Sequence, residues 1–111
     1  MVDPRKFNIR DGCRKLLCPV CGFPEYVVTD AYDEAGGFPL GICPCCLWEP
    51  GFDDNSAASS DAQETILGSI QVYRAAWRAA ASEWRGHGGK PAAWDASAQL
   101  AHLLEVAPHV R

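Results

Sequence analysis

Apolar positions fall into three regimes along the chain. Up to about Lys15 they are sparse: Phe7 and Ile9 stand among polar and basic residues with no sustained period, which predicts a polar, partly disordered arm over 1–15. From Leu16 to about Asp54 short apolar runs, Tyr26-Val27-Val28-Thr29 and Phe38-Pro39-Leu40-Gly41-Ile42, alternate with Gly, Pro and Cys. Runs of that length bounded by turn residues predict short strands. The period then changes. Ile66, Ile70, Tyr73, Trp77, Ala80 and Trp84 recur at spacings of four and three, which predicts an amphipathic helix over about 61–85. Ser60 or Asp61 can cap it, with Glu64 completing a capping box. Gly86-His87-Gly88-Gly89-Lys90-Pro91 breaks the pattern, and Trp94, Leu100, Leu103, Leu104 and Val106 supply the apolar face of a second helix ending before Pro108. The expected fold is α+β: a small β module over 16–56 followed by a two-helix hairpin within 57–108.

Length decides how many cores there are. A chain of 111 residues, 48% hydrophobic, supports one domain over 1–111 and is too short for two ordinary ones. No run approaches the roughly 18 apolar residues of a membrane span, and Met1 to Lys6 lacks the apolar stretch of a signal peptide, so no membrane association and a cytoplasmic location are expected.

The net charge of −4 is unevenly spread. Residues 1–17 carry five basic and two acidic groups, residues 25–64 carry nine acidic groups and no Lys or Arg, and residues 65–111 are slightly basic. A nucleic-acid partner usually draws on a dense basic patch, and the candidates here are Lys6, Arg10, Arg14 and Lys15 on the arm, so that partner is possible but not favoured.

Chemistry concentrates in the cysteines. Six in a chain expected in a reducing compartment point to metal binding before disulfides. Cys18-Pro19-Val20-Cys21 and Cys43-Pro44-Cys45-Cys46 each set two thiols across a two-residue gap, with 21 residues between the pairs. A tight turn aims both thiolates of such a pair at one point, and two turns supply the four-sulfur tetrahedron of a structural zinc site. Cys18, Cys21, Cys43 and Cys46 are therefore the expected metal ligands, and the module reads as zinc-ribbon or rubredoxin-like. Zinc is the expected ion. Iron is the alternative, because the same tetrahedron carries one-electron transfer in rubredoxin-like proteins, with Tyr26, Phe38 and Trp48 as surrounding aromatics. Four thiolates leave no open coordination position, so the site is expected to stabilise the fold rather than to catalyse. Cys45 would leave only a one-residue gap to Cys43; it either packs as a small hydrophobe or takes part in metal exchange or redox chemistry. Cys13 is expected to be a free thiol.

The remaining candidates are weaker. Arg74, Arg78 and Arg85 lie along one stripe of the long helix, which is a solvated face, a surface docked on the acidic 25–64 segment, or a phosphate-binding stripe. His87, His102 and His109 are far apart and read as surface residues, and Asp53-Asp54 as a solvated turn. No phosphate loop or nucleophile elbow is present, and no enzyme is expected.

With these residues in view, the chain from Cys18 to Leu104 resembles a family of small uncharacterised bacterial proteins, cysteine-rich and of the CPCC type. The likeness is carried by Cys18-Pro19-Val20-Cys21-Gly22-Phe23, Ile42-Cys43-Pro44-Cys45-Cys46-Leu47-Trp48-Glu49 and Gly51-Phe52-Asp53-Asp54. It extends to Tyr73-Arg74 with Trp77, and to Pro91-Ala92-Ala93-Trp94 with Gln99-Leu100. Leu47 departs from the Gly common after the second knuckle. The resemblance implies a zinc-ribbon-like module with appended helices and brings no activity. The leading expectation is a zinc-stabilised interaction module that meets an unknown protein partner through the long helix and the acidic ribbon. A homodimer through Trp77 and Trp84 is a further possibility.

Overall fold

A computed structural model describes residues 3–38, 41–54 and 62–111. The expected arm is built into the core. Pro4–Phe7 forms a 3-10 turn capped by Asp3, and Phe7 and Ile9 are 0% and 4% exposed. Two isolated apolar residues show no period, yet here both are anchors: Ile9–Arg10 (β1) pairs antiparallel with Leu16–Leu17 (β2), Ile9 opposite Leu17. Asp11 closes the turn between them by accepting the N–H groups of Cys13 and Lys15 at 2.8 and 2.9 Å. β2 runs directly into Cys18, so this hairpin positions the first cysteine pair.

The second hairpin differs from expectation. Residues 26–29 are bends, and Phe38, Gly41 and Ile42 are outside strands; the pair that forms is Tyr32–Asp33 (β3) with Gly36–Gly37 (β4). Val28 is 99% exposed while Tyr26 and Val27 beside it are buried, so the run turns into the core instead of alternating as a strand. Asn8 ties the two hairpins together: its Nδ2 donates to the Tyr32 carbonyl at 2.8 Å and its Oδ1 accepts from Ala31 and Tyr32 N–H at 2.9 Å.

The long helix is Ala62–Ala79 (α1), and the capping residues expected for it lie outside the described residues. Ile66, Ile70 and Trp77 are its buried face. It ends six residues before the expected Arg85. Ser82 N–H bonds to the Trp77 carbonyl and Ala81 N–H to that of Arg78, both at 3.0 Å, with Ala81 left-handed at φ 67°. This is a complete Schellman cap. Ala rather than Gly occupies its left-handed position, so the usual stop signal is missing.

Ala96–Val106 (α2) is capped by Asp95, whose carboxylate accepts the Ala98 N–H at 3.1 Å. It buries Leu100 and Leu103, whereas Val106 is 37% exposed. A cleft of about 500 Å³ lined by Arg78, Ala81, Ser82, Leu100 and Leu104 separates the end of α1 from α2. The two helices, expected as a hairpin against the β module, both pack on the cysteine-bearing segment, α1 through Arg74 and α2 through Gln99. The architecture is thus α+β, two small antiparallel ribbons and two helices, with Cys18, Cys21, Cys43, Cys45 and Cys46 inside a single core. Among the described residues no helix is long and apolar enough to cross a membrane.

Candidate metal centre

The two cysteine turns repeat one backbone pattern. In the first, Gly22 N–H bonds to the Cys18 carbonyl at 2.8 Å and Cys18 N–H to the Phe23 carbonyl at 3.0 Å; in the second, Leu47 N–H bonds to the Cys43 carbonyl and Cys43 N–H to that of Trp48, both at 2.8 Å. Gly22 and Leu47 both have positive φ, +86° and +69°. Each turn therefore presents its two thiols on the same side.

Cys18, Cys21, Cys43 and Cys46 are brought together, their Sγ atoms all within 4.8 Å of one another and fully buried. Sγ of Cys18 lies 3.8 Å from Cys46, and that of Cys21 lies 3.7 Å from Cys43. Four sulfurs placed 2.3 Å from a common centre have tetrahedral edges of about 3.8 Å, the size of a zinc or iron tetrathiolate. The described cysteines are all free thiols. The four together could hold one metal ion. Burial pushes all four thiols above the ordinary range, so without an ion they are neutral.

Side chains from the helical half grip the backbone of both turns. Arg74 is 7% exposed; its Nε donates to the Val20 carbonyl and its Nη2 to that of Pro19, both at 2.7 Å. Tyr73 Oη donates to the Cys46 carbonyl at 2.9 Å, with Arg85 Nη1 3.4 Å from the same oxygen. Gln99 Nε2 donates to the Cys21 carbonyl at 3.0 Å and is itself oriented by Trp94 Nε1, which donates to its Oε1 at 3.0 Å. Beyond α1 the chain folds over the second turn: Arg85 N–H bonds to the Cys45 carbonyl at 2.8 Å. A Cβ on Gly86 would sit 2.2 Å from the Pro44 carbonyl oxygen, so this approach requires glycine.

These grips correct the arginine stripe. Arg74 is neither solvated nor docked on acidic side chains; Arg78 alone is exposed, and Arg85 lies beyond the helix. The grip by Tyr73 and Arg74 was missed in the sequence, although a signal existed. Arg74 follows Ile70 by four and precedes Trp77 by three, so it lies on the buried stripe and must find interior acceptors. The aromatic surface offered to a partner is also turned inward. Trp77 is 0% exposed with its Nε1 donating to the Glu83 carbonyl, and Trp84 packs edge-on against Phe23 and Trp94.

Cys45 is buried outside the group of four, its Sγ 3.5 Å from Gln99 Nε2. Cys13 is exposed. No histidine joins the sulfurs: His102 faces Asp11 at 3.9 Å, His109 lies on the Lys6 carbonyl at 2.9 Å, and His87 is exposed. Asp53 and Asp54 cap the turn they lie in, accepting Glu49 and Gly51 N–H respectively; Asp53 is half-buried, whereas Asp54 is 5% exposed and so not a solvated group. Of the expected aromatics Trp48 and Tyr26 are buried and Phe38 is 39% exposed. Trp48 packs edge-on against Tyr73 at 5.2 Å and donates to the Tyr32 hydroxyl at 3.2 Å. Arg10, Arg14 and Lys15 share a cleft of about 320 Å³, but Glu25 lines it too and Arg10 is paired with Asp30 at 2.6 Å. Lys6 stands apart over the Phe7 ring.

No protein-family model matches the chain, and neither a curated protein nor a solved structure matches it.

Proposed function

We propose that the chain is a small zinc protein in which Cys18, Cys21, Cys43 and Cys46 hold one structural Zn²⁺ in a zinc-ribbon-like module, and that it serves as a protein-interaction module in the cytoplasm. The observation that carries the metal reading is the buried set of four sulfurs, all within 4.8 Å of one another and with two of their edges at 3.7 and 3.8 Å, close to the edge of a tetrathiolate site. A sphere filled by four sulfurs has no position for water or substrate, which favours a structural over a catalytic role. When bound, zinc would cross-link the two turns and add its binding free energy to folding. Strands of only two residues leave the two turns without an extended sheet to join them.

The interaction role rests on what remains exposed. Ile42, Leu47 and Phe52, at 51%, 41% and 69% exposure, all belong to the second cysteine turn and its immediate flanks, with Glu49 and Asp53 among them. Apolar side chains held out on a rigid metal-bound turn beside acidic ones suit a protein surface better than a nucleic acid. The resemblance to the CPCC-type proteins accords with the metal reading and adds no activity. Stripping the metal with a strong chelator should abolish near-ultraviolet circular dichroism and partner capture together. Capture should also weaken when Phe52 is replaced by Ser in folded, metal-loaded protein. Unchanged capture by both preparations would refute the interaction role.

A further inference from the structure

Arg74 is a buried cation with no carboxylate partner among the described residues. Among the described residues the ion pairs are Arg5 with Asp3, Arg10 with Asp30, and His102 with Asp11; no carboxylate pairs with Arg74. Its partners are two neutral carbonyls, and they belong to Pro19 and Val20, the two residues between Cys18 and Cys21. Arg85 repeats the relationship at the other turn, near the Cys46 carbonyl and with its guanidinium 5.6 Å from the Tyr73 ring centre. Each cysteine turn thus has one arginine on its backbone. A guanidinium withdrawn from water is costly unless a negative charge compensates it.

The sulfur cluster is the feature able to supply that charge. Four neutral thiols carry none, whereas four thiolates around a divalent ion carry a formal charge of minus two, and around a trivalent ion minus one. We propose that Arg74 and Arg85 are the counter-ions of the metal-loaded cluster, and that their two positive charges match it to a divalent rather than a trivalent ion. The inference rests on the four-cysteine metal reading above. With a divalent ion the cluster and its two arginines are neutral together; with a trivalent ion one positive charge is left over beside the buried Arg74. The arrangement therefore favours zinc in the resting protein. If iron is loaded instead, it stabilises the ferrous form, which raises the reduction potential.

The test uses the full chain loaded with iron and, separately, with zinc, comparing wild type with Arg74→Lys, Arg74→Gln and Arg85→Gln. The readouts are the ferric/ferrous midpoint by spectroelectrochemistry and zinc affinity against a chromophoric chelator. Arg74→Gln should move the midpoint to lower potential and weaken zinc binding by about 10- to 100-fold, as loss of a partner outside the ligand sphere does elsewhere. Arg74→Lys should keep the midpoint near wild type, because it retains the charge while losing the two-pronged grip. Arg85→Gln should shift it in the same direction by less, and it reads out the charge even where Arg74→Gln fails to fold. Midpoints unchanged in the glutamine variants, or a lysine variant shifted as far as the glutamine one, would overturn the counter-ion assignment alone. A wild-type chain that takes up neither metal would overturn the four-cysteine reading itself.

Discussion

Gly22 and Leu47 occupy the same place in the two cysteine turns, each one residue after the second thiol, each at positive φ, each donating its N–H to the first cysteine's carbonyl at 2.8 Å. Glycine reaches that conformation freely, and leucine does so at a cost of about 1–2 kcal/mol. Leu47 is 41% exposed, so its side chain gives little back through burial. Leu47→Gly is therefore expected to raise stability by about 1 kcal/mol in denaturant unfolding of the metal-loaded chain. Gly22→Ala should lower it by more, because the new Cβ would stand 2.7 Å from the Gln99 carbonyl oxygen and 2.9 Å from Leu103 Cβ. A destabilised Leu47→Gly variant would show that the leucine side chain outweighs the backbone strain.

The Schellman cap at Ala81 makes a parallel case. Ala81→Gly should stabilise α1 by about 1 kcal/mol, read as a higher unfolding midpoint with unchanged denaturant dependence. A lower midpoint would mean that the left-handed turn is held by its neighbours and that glycine only loosens the unfolded chain.

Phe7 tests whether the first fifteen residues belong to the core. It is fully buried and packs edge-on against Tyr32 at 5.8 Å. Phe7→Ala should cost about 3–5 kcal/mol, enough to unfold a marginal domain near room temperature. A variant with wild-type stability would return this segment to the role of a loose arm.

On the proposed metal reading, protons and metal compete for the four buried thiols, and the sign follows from burial. Their folded pKa values lie above the unfolded ones, so the metal-free fold keeps this contribution below the ordinary thiol pKa and loses it as pH rises. The metal-loaded fold behaves oppositely, since acid displaces the ion by protonating its ligands. Because the account has the metal-free chain unfolded, with its thiols titrating in the ordinary range, zinc affinity should rise with pH and level off above about 8.5. Competition titrations across that range check this; an affinity that keeps rising well beyond it would mean that a folded metal-free chain with desolvated thiols competes with the ion.

What the sequence revealed and what it hid follow from range. The cysteine turns were legible because their geometry is decided within five residues: two thiols, a two-residue gap and one residue able to turn left. The body of α1 was legible because Ile66, Ile70 and Trp77 keep a helical period. The end of α1 was not, because Ala81 adopts a conformation for which alanine is no signal, while Trp84 happens to continue the period on its way to Phe23 and Trp94. Nor was the role of Arg74, whose acceptors lie 54 and 55 residues away and exist only once the turn and the helix have docked. The β pairing was obscured for a related reason: strands of two residues carry no alternation to detect, and the longer apolar run at Tyr26 to Thr29 ends as bends.

The central claim is that the four sulfurs are one metal site on which the fold depends. Its most direct test is elemental analysis of the chain purified without added metal, alongside Cys18→Ser and Cys43→Ser. The account predicts one zinc per chain in the parent protein, and loss of both the zinc and the folded state in either variant. A metal-free parent that is nonetheless folded, or serine variants that keep a full complement of zinc, would contradict it.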